Sequence, residues 1–173
     1  IPDDNIFLKY FRSNGNNPIF KRSEILGEIS KQSKCIAVAG THGKTTTTAI
    51  ISHLFHSSGI HFKAFIGGIM KCFDSNYINT GNDYIVVEAD EYDRSFLNLN
   101  ANYAVITSIE NDHLDVFGDF KSLTESFQSF ANNVKDVLIT DSEINLNKDF
   151  SFSIKNDSDY YVNNIDILEN EIR

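Results

Sequence analysis

The stretch Cys35-Ile-Ala-Val-Ala-Gly-Thr-His-Gly-Lys-Thr-Thr-Thr-Thr48 constrains the fold more than any other part of the chain. Small and apolar residues run into Gly40, Gly43 and Lys44, and hydroxyls follow at Thr45, Thr46, Thr47 and Thr48. A buried parallel strand that turns through a glycine-rich loop into a helix N-terminus has this pattern. Backbone N–H groups at such a turn point at an anion, and the helix dipole favours negative charge. Lys44 adds a mobile cation within reach of β- and γ-phosphate oxygens, and Thr45 puts a hydroxyl where Mg²⁺ takes an oxygen ligand. Gly40, Thr41, His42, Gly43, Lys44, Thr45 and Thr46 are therefore the expected nucleotide contacts. The usual spacing, G-x-x-x-x-G-K-[ST], would place glycine at position 38, where this chain has Val38, so the loop is a shortened form. A merely structural strand–turn–helix is the competing explanation.

Strands and helices alternate around this loop. Ser23–Ile29 has helical spacing with Ser23 as N-cap, and a helix across about 44–58 ends at Gly59. Phe62–Ile66 reads as a strand closed by Gly67-Gly68. Tyr84–Glu88 and Tyr103–Thr107 are nearly continuous apolar runs, as strands buried on both faces should be. Leu123–Val134 suggests a helix and Val137–Thr140 a further strand. The alternation predicts an α/β fold: three layers, a mainly parallel sheet and right-handed crossovers. Residues 1–22 carry Pro2, Gly15 and Pro18 and read as a loop or linker around the apolar piece Ile6–Phe11. From about residue 150, apolar residues among many Asn and Asp suggest a short antiparallel C-terminal extension.

Composition narrows the function classes. A chain of 173 residues is enough for one domain with a sizeable core. The net charge of −9, with no stripe of Lys and Arg, argues against nonspecific nucleic-acid binding. Lys21, Arg22, Lys31 and Lys34 form the nearest basic cluster and read as a solvated helix face. Two cysteines cannot build a disulfide framework, and Cys35 opens a buried strand, so a reducing cytoplasm is expected. No apolar run approaches the ~20 residues that span a bilayer, and no membrane role is expected. The first residue is Ile1 rather than Met, which reads as a fragment or a processed form.

Ligands of an open α/β sheet bind outside the carboxyl ends of its strands, and two later strands deliver polar groups there. The first ends in Glu88-Ala-Asp-Glu-Tyr-Asp93, where carboxylates are costly unless cations or hydrogen bonds compensate them. Glu88, at the strand tip facing the phosphate loop, is the best placed; a solvated acidic turn is the alternative. The second ends in Thr107-Ser-Ile-Glu-Asn-Asp-His-Leu-Asp115. His113 could with a carboxylate hold a divalent ion against a transferring phosphate, or could be only a capped turn residue. His42 could touch a ligand or serve loop packing. No chemistry is assigned to His53, His56 or His61.

As a set, Gly40-Thr-His-Gly-Lys-Thr45, Glu88-Ala-Asp-Glu91 and Asp112-His113 resemble the ATP-binding central domain of the Mur ligases, which build the cytoplasmic peptidoglycan precursor. The resemblance covers about residues 18–140. Within the family, Glu88–Leu97, Asp112–Asp115 and Phe20–Glu24 are most similar to the branch that joins L-alanine to UDP-N-acetylmuramate. The resemblance implies that Lys44 binds ATP phosphates, that Thr45 holds a first Mg²⁺, and that Glu88 and His113 engage Mg²⁺ ions bridging ATP and the acceptor carboxylate. Lys44, Glu88 and His113 would be the catalytic residues. The implied reaction is ADP-forming: the muramate carboxylate takes the γ-phosphoryl group, and the amine of L-alanine displaces phosphate from the acyl phosphate. Ser108 stands where relatives often have Asn, and Glu125–Phe130 lacks the lysine that several family members modify as a metal bridge.

A full ligase of this kind has an N-terminal UDP-sugar domain and a C-terminal amino-acid domain. The chain therefore reads as a linker (1–22) followed by an incomplete central domain (23–173). Its nearest rival in the family is the murein-tripeptide recycling ligase, which would use the same muramate with a peptide amine. A nucleotide-binding module without ligase activity is a second alternative. A GTP-dependent switch is disfavoured, because no guanine-reading Asn-Lys-x-Asp motif occurs.

Overall fold

The computed structural model describes residues 4–15, 18–110, 117, 119–155, 158–165, 167–168 and 171–172. The chain begins with helix α1 (Ile6–Ser13) and helix α2 (Arg22–Ser30), and strand β1 (Lys34–Ala39) then leads into helix α3 (Lys44–Ser57). Strands β2 (Phe62–Met70), β3 (Ser75–Asn79) and β4 (Tyr84–Glu88) follow, then a 3₁₀ segment over Tyr92–Asn98 and strand β5 (Tyr103–Ile106). Helix α4 (Phe120–Asn132) precedes β6 (Val137–Asp141), β7 (Phe150–Ser153), β8 (Tyr160–Tyr161), β9 (Ile167–Leu168) and β10 (Glu171–Ile172).

Eight strands form one sheet in the order β3-β2-β4-β1-β5-β6-β7-β8. The β2–β4, β4–β1, β1–β5, β5–β6, β6–β7 and β7–β8 pairs are parallel, and only β3 runs antiparallel, against β2. The α/β, mainly parallel architecture is the one expected. β1 lies between β4 and β5, with Val38 beside Glu88 and Ala39 beside Ile106. That register brackets the loop after β1 with Glu88 on one side and Thr107 on the other.

The apolar runs form strands because both faces are covered: Ala37, Val38, Ala39, Ile85, Val86, Val87 and Ile106 have no exposed surface. On one face Phe96 stacks on Phe130 (centroids 4.9 Å apart) and meets Phe127 edge-on at 5.2 Å. Each buried phenyl ring is worth roughly 1.5–3 kcal/mol of transfer free energy. On the other face α3 packs hydroxyl side chains inward. Thr48 donates to the Lys44 carbonyl at 2.8 Å and Ser52 to the Thr48 carbonyl at 2.7 Å, so these buried hydroxyls are satisfied within the helix.

Several local expectations are corrected. Ile6–Ser13 is a helix, because Asn5 caps it by accepting from Phe7 N and Leu8 N. Lys21, not Ser23, caps α2: the Glu24 carboxylate accepts the Lys21 N–H at 2.6 Å. β2 does not stop at Gly67-Gly68 but continues to Met70, with an irregular pairing to β3 beyond Phe65. α4 begins at Phe120, three residues before the expected start, because Asp119 accepts the Ser122 N–H at 2.7 Å. The antiparallel extension is confined to β9 and β10, whereas β7 and β8 widen the parallel sheet.

Candidate functional site

The loop between β1 and α3 is built around two glycines that no other residue replaces without cost. Gly40 has φ +133°, and a Cβ there would lie 2.1 Å from Thr107 Oγ1. Gly43, in the left-handed region at φ +81°, is the N-cap of α3 and turns the chain so that the helix begins at Lys44. The first N–H groups of α3 have no partner inside the helix and face the loop's concavity. The loop is pinned from the β5 side. Thr41 N donates to the Ser108 carbonyl at 3.0 Å, His42 N to Ser108 Oγ at 3.0 Å, and Glu110 N to Thr41 Oγ1 at 3.1 Å. Thr41 and Ser108 hydroxyls meet at 2.9 Å, and the Thr107 hydroxyl donates to the carbonyls of Ala39 and His42. The buried Thr41 side chain is thus committed to the fold, and Ser108 acts on the loop. His42 points outward with Nε2 at 3.7 Å from Glu110.

Lys44 lies along the loop. Its ammonium donates to the Gly40 carbonyl at 2.6 Å, the Thr41 carbonyl at 3.3 Å and Glu91 Oε1 at 3.0 Å. Glu91 Oε2 is 2.9 Å away, and the Glu91 side chain has no exposed surface. The four carboxylates of residues 88–93 therefore divide their work: Glu91 goes inward to Lys44, Asp93 goes outward to Lys21 at 2.7 Å, Asp90 accepts the Tyr92 N–H at 3.0 Å, and Glu88 turns to the mouth of the loop. Lys21 is thus ion-paired rather than simply solvated.

At that mouth Thr45 Oγ1 donates to Glu88 Oε1 at 2.9 Å, and Gly67 N donates to Glu88 Oε2 at 2.7 Å. A Cβ on Gly67 would come within 2.7–2.9 Å of the Glu88 carboxylate, so the glycine makes the room that Glu88 occupies. The two oxygens of Thr45 and Glu88 fit a hard divalent cation. Both are hard oxygen donors of the kind Mg²⁺ takes, and here the hydroxyl donates to the carboxylate. No group of three or more His, Cys, Asp or Glu among the described residues could hold a metal by itself. His113, with Asp112 and Asp115, lies outside the described residues.

Thr46 is exposed in the first turn of α3, and its side chain has no hydrogen-bond partner among the described residues. Among the clefts lined by described residues near the loop, two lie at the carboxyl ends of the strands beside β1. One, of about 510 Å³, is lined by Thr107, Ser108, Glu110, Phe120, Asp141 and Ile144 at the carboxyl ends of β5 and β6. The other, of about 230 Å³, lies between Lys21, Arg22 and Glu88. Sequence reasoning missed Glu91, Thr107 and Gly67. Glu91 carried one signal, the cost of so many adjacent carboxylates; the other two carried none without the register.

The glycine-rich loop thus follows a central strand of a mainly parallel sheet, with a carboxylate at the tip of the neighbouring strand. The family model described as Mur ligase middle domain matches residues 38–171, and the chain belongs to the Mur ligase family. UDP-N-acetylmuramate–L-alanine ligase of Christiangramia forsetii is 44% identical over 171 residues, covering 98% of this chain and 37% of that protein. The enzyme of the same name from Flavobacterium psychrophilum is 53% identical over 116 residues, covering 67% of this chain and 26% of that protein. Among solved structures, UDP-N-acetylmuramate-alanine ligase MurC from Thermotoga maritima aligns with a TM-score of 0.83 at 28% identity, covering 95% of this chain and 39% of that one. The chain thus spans less than two-fifths of the length of these relatives.

Proposed function

We propose that this chain supplies the ATP-binding core of an ADP-forming ligase that joins L-alanine to the carboxylate of UDP-N-acetylmuramate in the cytoplasm. The observation that carries the proposal is the Lys44–Thr45–Glu88 constellation: a cation, a hydroxyl and a carboxylate placed at the mouth of one anion-binding loop. The names of the relatives support the choice of acceptor and amine.

The chain's own groups divide the work as follows. Amide N–H groups at the start of α3 receive the β- and γ-phosphates, and Lys44 releases its long contact to the Thr41 carbonyl to meet a phosphate oxygen. Thr45 and Glu88, with His113 by family resemblance, would hold Mg²⁺. When bound, Mg²⁺ supplies charge neutralisation between the nucleotide and the acceptor carboxylate. The small cleft beside Glu88, with Arg22 on its wall, receives the acceptor carboxylate, and the larger cleft beyond Ser108 receives the rest of the nucleotide. Carboxylate attack on the γ-phosphorus expels ADP, and the amine then displaces phosphate. Positioning and electrostatics do most of the work, because two anions must be brought together.

The test is ADP formation by the full-length ligase with UDP-N-acetylmuramate and L-alanine each omitted in turn. The reading requires that either omission abolish sustained turnover. Faster turnover with a muramyl-tripeptide amine than with L-alanine would favour the recycling branch instead.

A further inference from the structure

Glu91 is the one charged side chain among the described residues that is fully buried, and neither phosphate binding nor cation binding uses it directly. Its oxygens lie 3.0 and 2.9 Å from the Lys44 ammonium, whose other acceptors are the Gly40 carbonyl at 2.6 Å and the Thr41 carbonyl at 3.3 Å. An ammonium has three hydrogens on a flexible four-carbon stem. Two short contacts fix its place; the third, long one is the one a phosphate oxygen can replace. A buried ion pair adds little to stability over apolar residues of the same volume, so net stabilisation does not account for this pair.

The turn that carries Glu91 is well supported. Just beyond Glu91, Asp93 and Arg94 both sit in the left-handed region, at φ 53° and 55°. The turn is held by Arg94 N donating to the Glu91 carbonyl and Phe96 N to the Asp90 carbonyl, both at 2.8 Å, and by Phe96 stacked in the core.

We infer that Glu91 is a positioning residue for Lys44: it never touches the nucleotide, but with the Gly40 carbonyl it fixes the ammonium so that one N–H is directed at the transferring phosphate. The inference rests on Lys44 being the phosphate cation.

The test uses the full-length ligase carrying Glu91→Gln, alone and with Lys44→Met. Steady-state ADP formation and ATP binding are measured in each. In the wild-type background Glu91→Gln should lower kcat by about 30-fold or more while KM for ATP stays within about threefold, because the aimed charge acts on the transition state. In the Lys44→Met background the same change should alter residual turnover and the ATP Kd by less than about twofold. Equal losses in both backgrounds, or a wild-type kcat in Glu91→Gln, would overturn the inference. Glu91→Asp keeps the buried charge but shortens its reach by one methylene, and it serves if Glu91→Gln does not fold. A wild-type kcat in folded Glu91→Asp would overturn the inference equally. If the unsubstituted ligase forms no ADP with UDP-N-acetylmuramate and L-alanine, the ligase reading fails; if it does and the Glu91 variants match it, only the positioning role fails.

Discussion

Gly67→Ala separates the site from the fold. Gly67 is exposed on β2, outside the positive-φ region, so alanine brings no backbone strain. Its Cβ would meet Glu88 Oε2 at 2.7 Å, Oε1 at 2.8 Å and Cδ at 2.9 Å, all at the far end of a flexible side chain. Ordinary van der Waals contact begins near 3.4 Å, so the carboxylate must retreat by more than half an ångström. That retreat breaks the 2.7 Å bond from Gly67 N and the 2.9 Å bond from Thr45 Oγ1. The lost hydrogen bonds cost about 1 kcal/mol at this partly exposed site. The smaller entropy of the unfolded chain returns about 0.4–1 kcal/mol, so net stability should hardly change. Activity should change a great deal, because a displacement of this size can cost about 10²-fold in a positioned reaction. The assay pairs thermal unfolding with ADP formation by the full-length ligase across a Mg²⁺ titration. The expected result is an unchanged melting temperature, turnover down by roughly 30- to 100-fold, and a higher Mg²⁺ requirement. Wild-type turnover at wild-type Mg²⁺ concentration would refute the reasoning that Gly67 exists to place Glu88.

Three further outcomes follow from the same geometry. Lys44→Ala removes the cation proposed to meet the phosphates and also the ammonium beside buried Glu91. Denaturant unfolding should therefore show a loss of about 3–5 kcal/mol, alongside a fall in ADP formation of about 10²-fold or more. A hydrogen bond and the charge of Lys21 hold the Asp93 carboxyl below its ordinary 3.8, and Asp93 raises Lys21 above 10.5. The lowered carboxyl stabilises the fold above 3.8 and loses that effect as pH falls further; the raised amine stabilises it below 10.5 and loses the effect as pH rises further. Asp93→Asn, which tolerates the left-handed backbone, should give a small destabilisation confined to that window and erased by high salt in melting curves. Burial pushes the Cys35 thiol up to about 12, whereas Cys72 is exposed, so a thiol reagent at neutral pH should label Cys72 at once and Cys35 only after unfolding.

The parts of this fold that were legible in the sequence are those where local pattern and burial agree. β1, β4 and β5 are covered on both faces and therefore read as unbroken apolar runs, and the Gly-Lys-Thr turn between β1 and α3 announces itself by spacing. Glu88 was legible because it ends such a run. β3 was not: Ser75-Asn-Tyr-Ile-Asn79 is a half-exposed edge strand whose only support is its antiparallel partner β2. Gly67-Gly68 looked like a strand stop because the use of Gly67, room for Glu88, comes from a strand distant in sequence. The same holds for β7 and β8, whose direction is set by the pairing of β7 with β6 and of β8 with β7, and not by the residues between them. Glu91 shows the limit most plainly. Its neighbours Asp90 and Asp93 carry the same charge, and only the three-dimensional path of Lys44 decides which carboxylate is buried.

Calorimetric titration of ATP into the full-length ligase, with and without Mg²⁺, for the unsubstituted protein and for Glu88→Gln, tests the central claim most directly. If Thr45 and Glu88 hold the cation that joins nucleotide to loop, Mg²⁺ should tighten ATP binding in the unsubstituted protein, and Glu88→Gln should remove most of that gain while leaving Mg²⁺-free binding in place. A Mg²⁺ effect of the same size in both proteins would contradict the account.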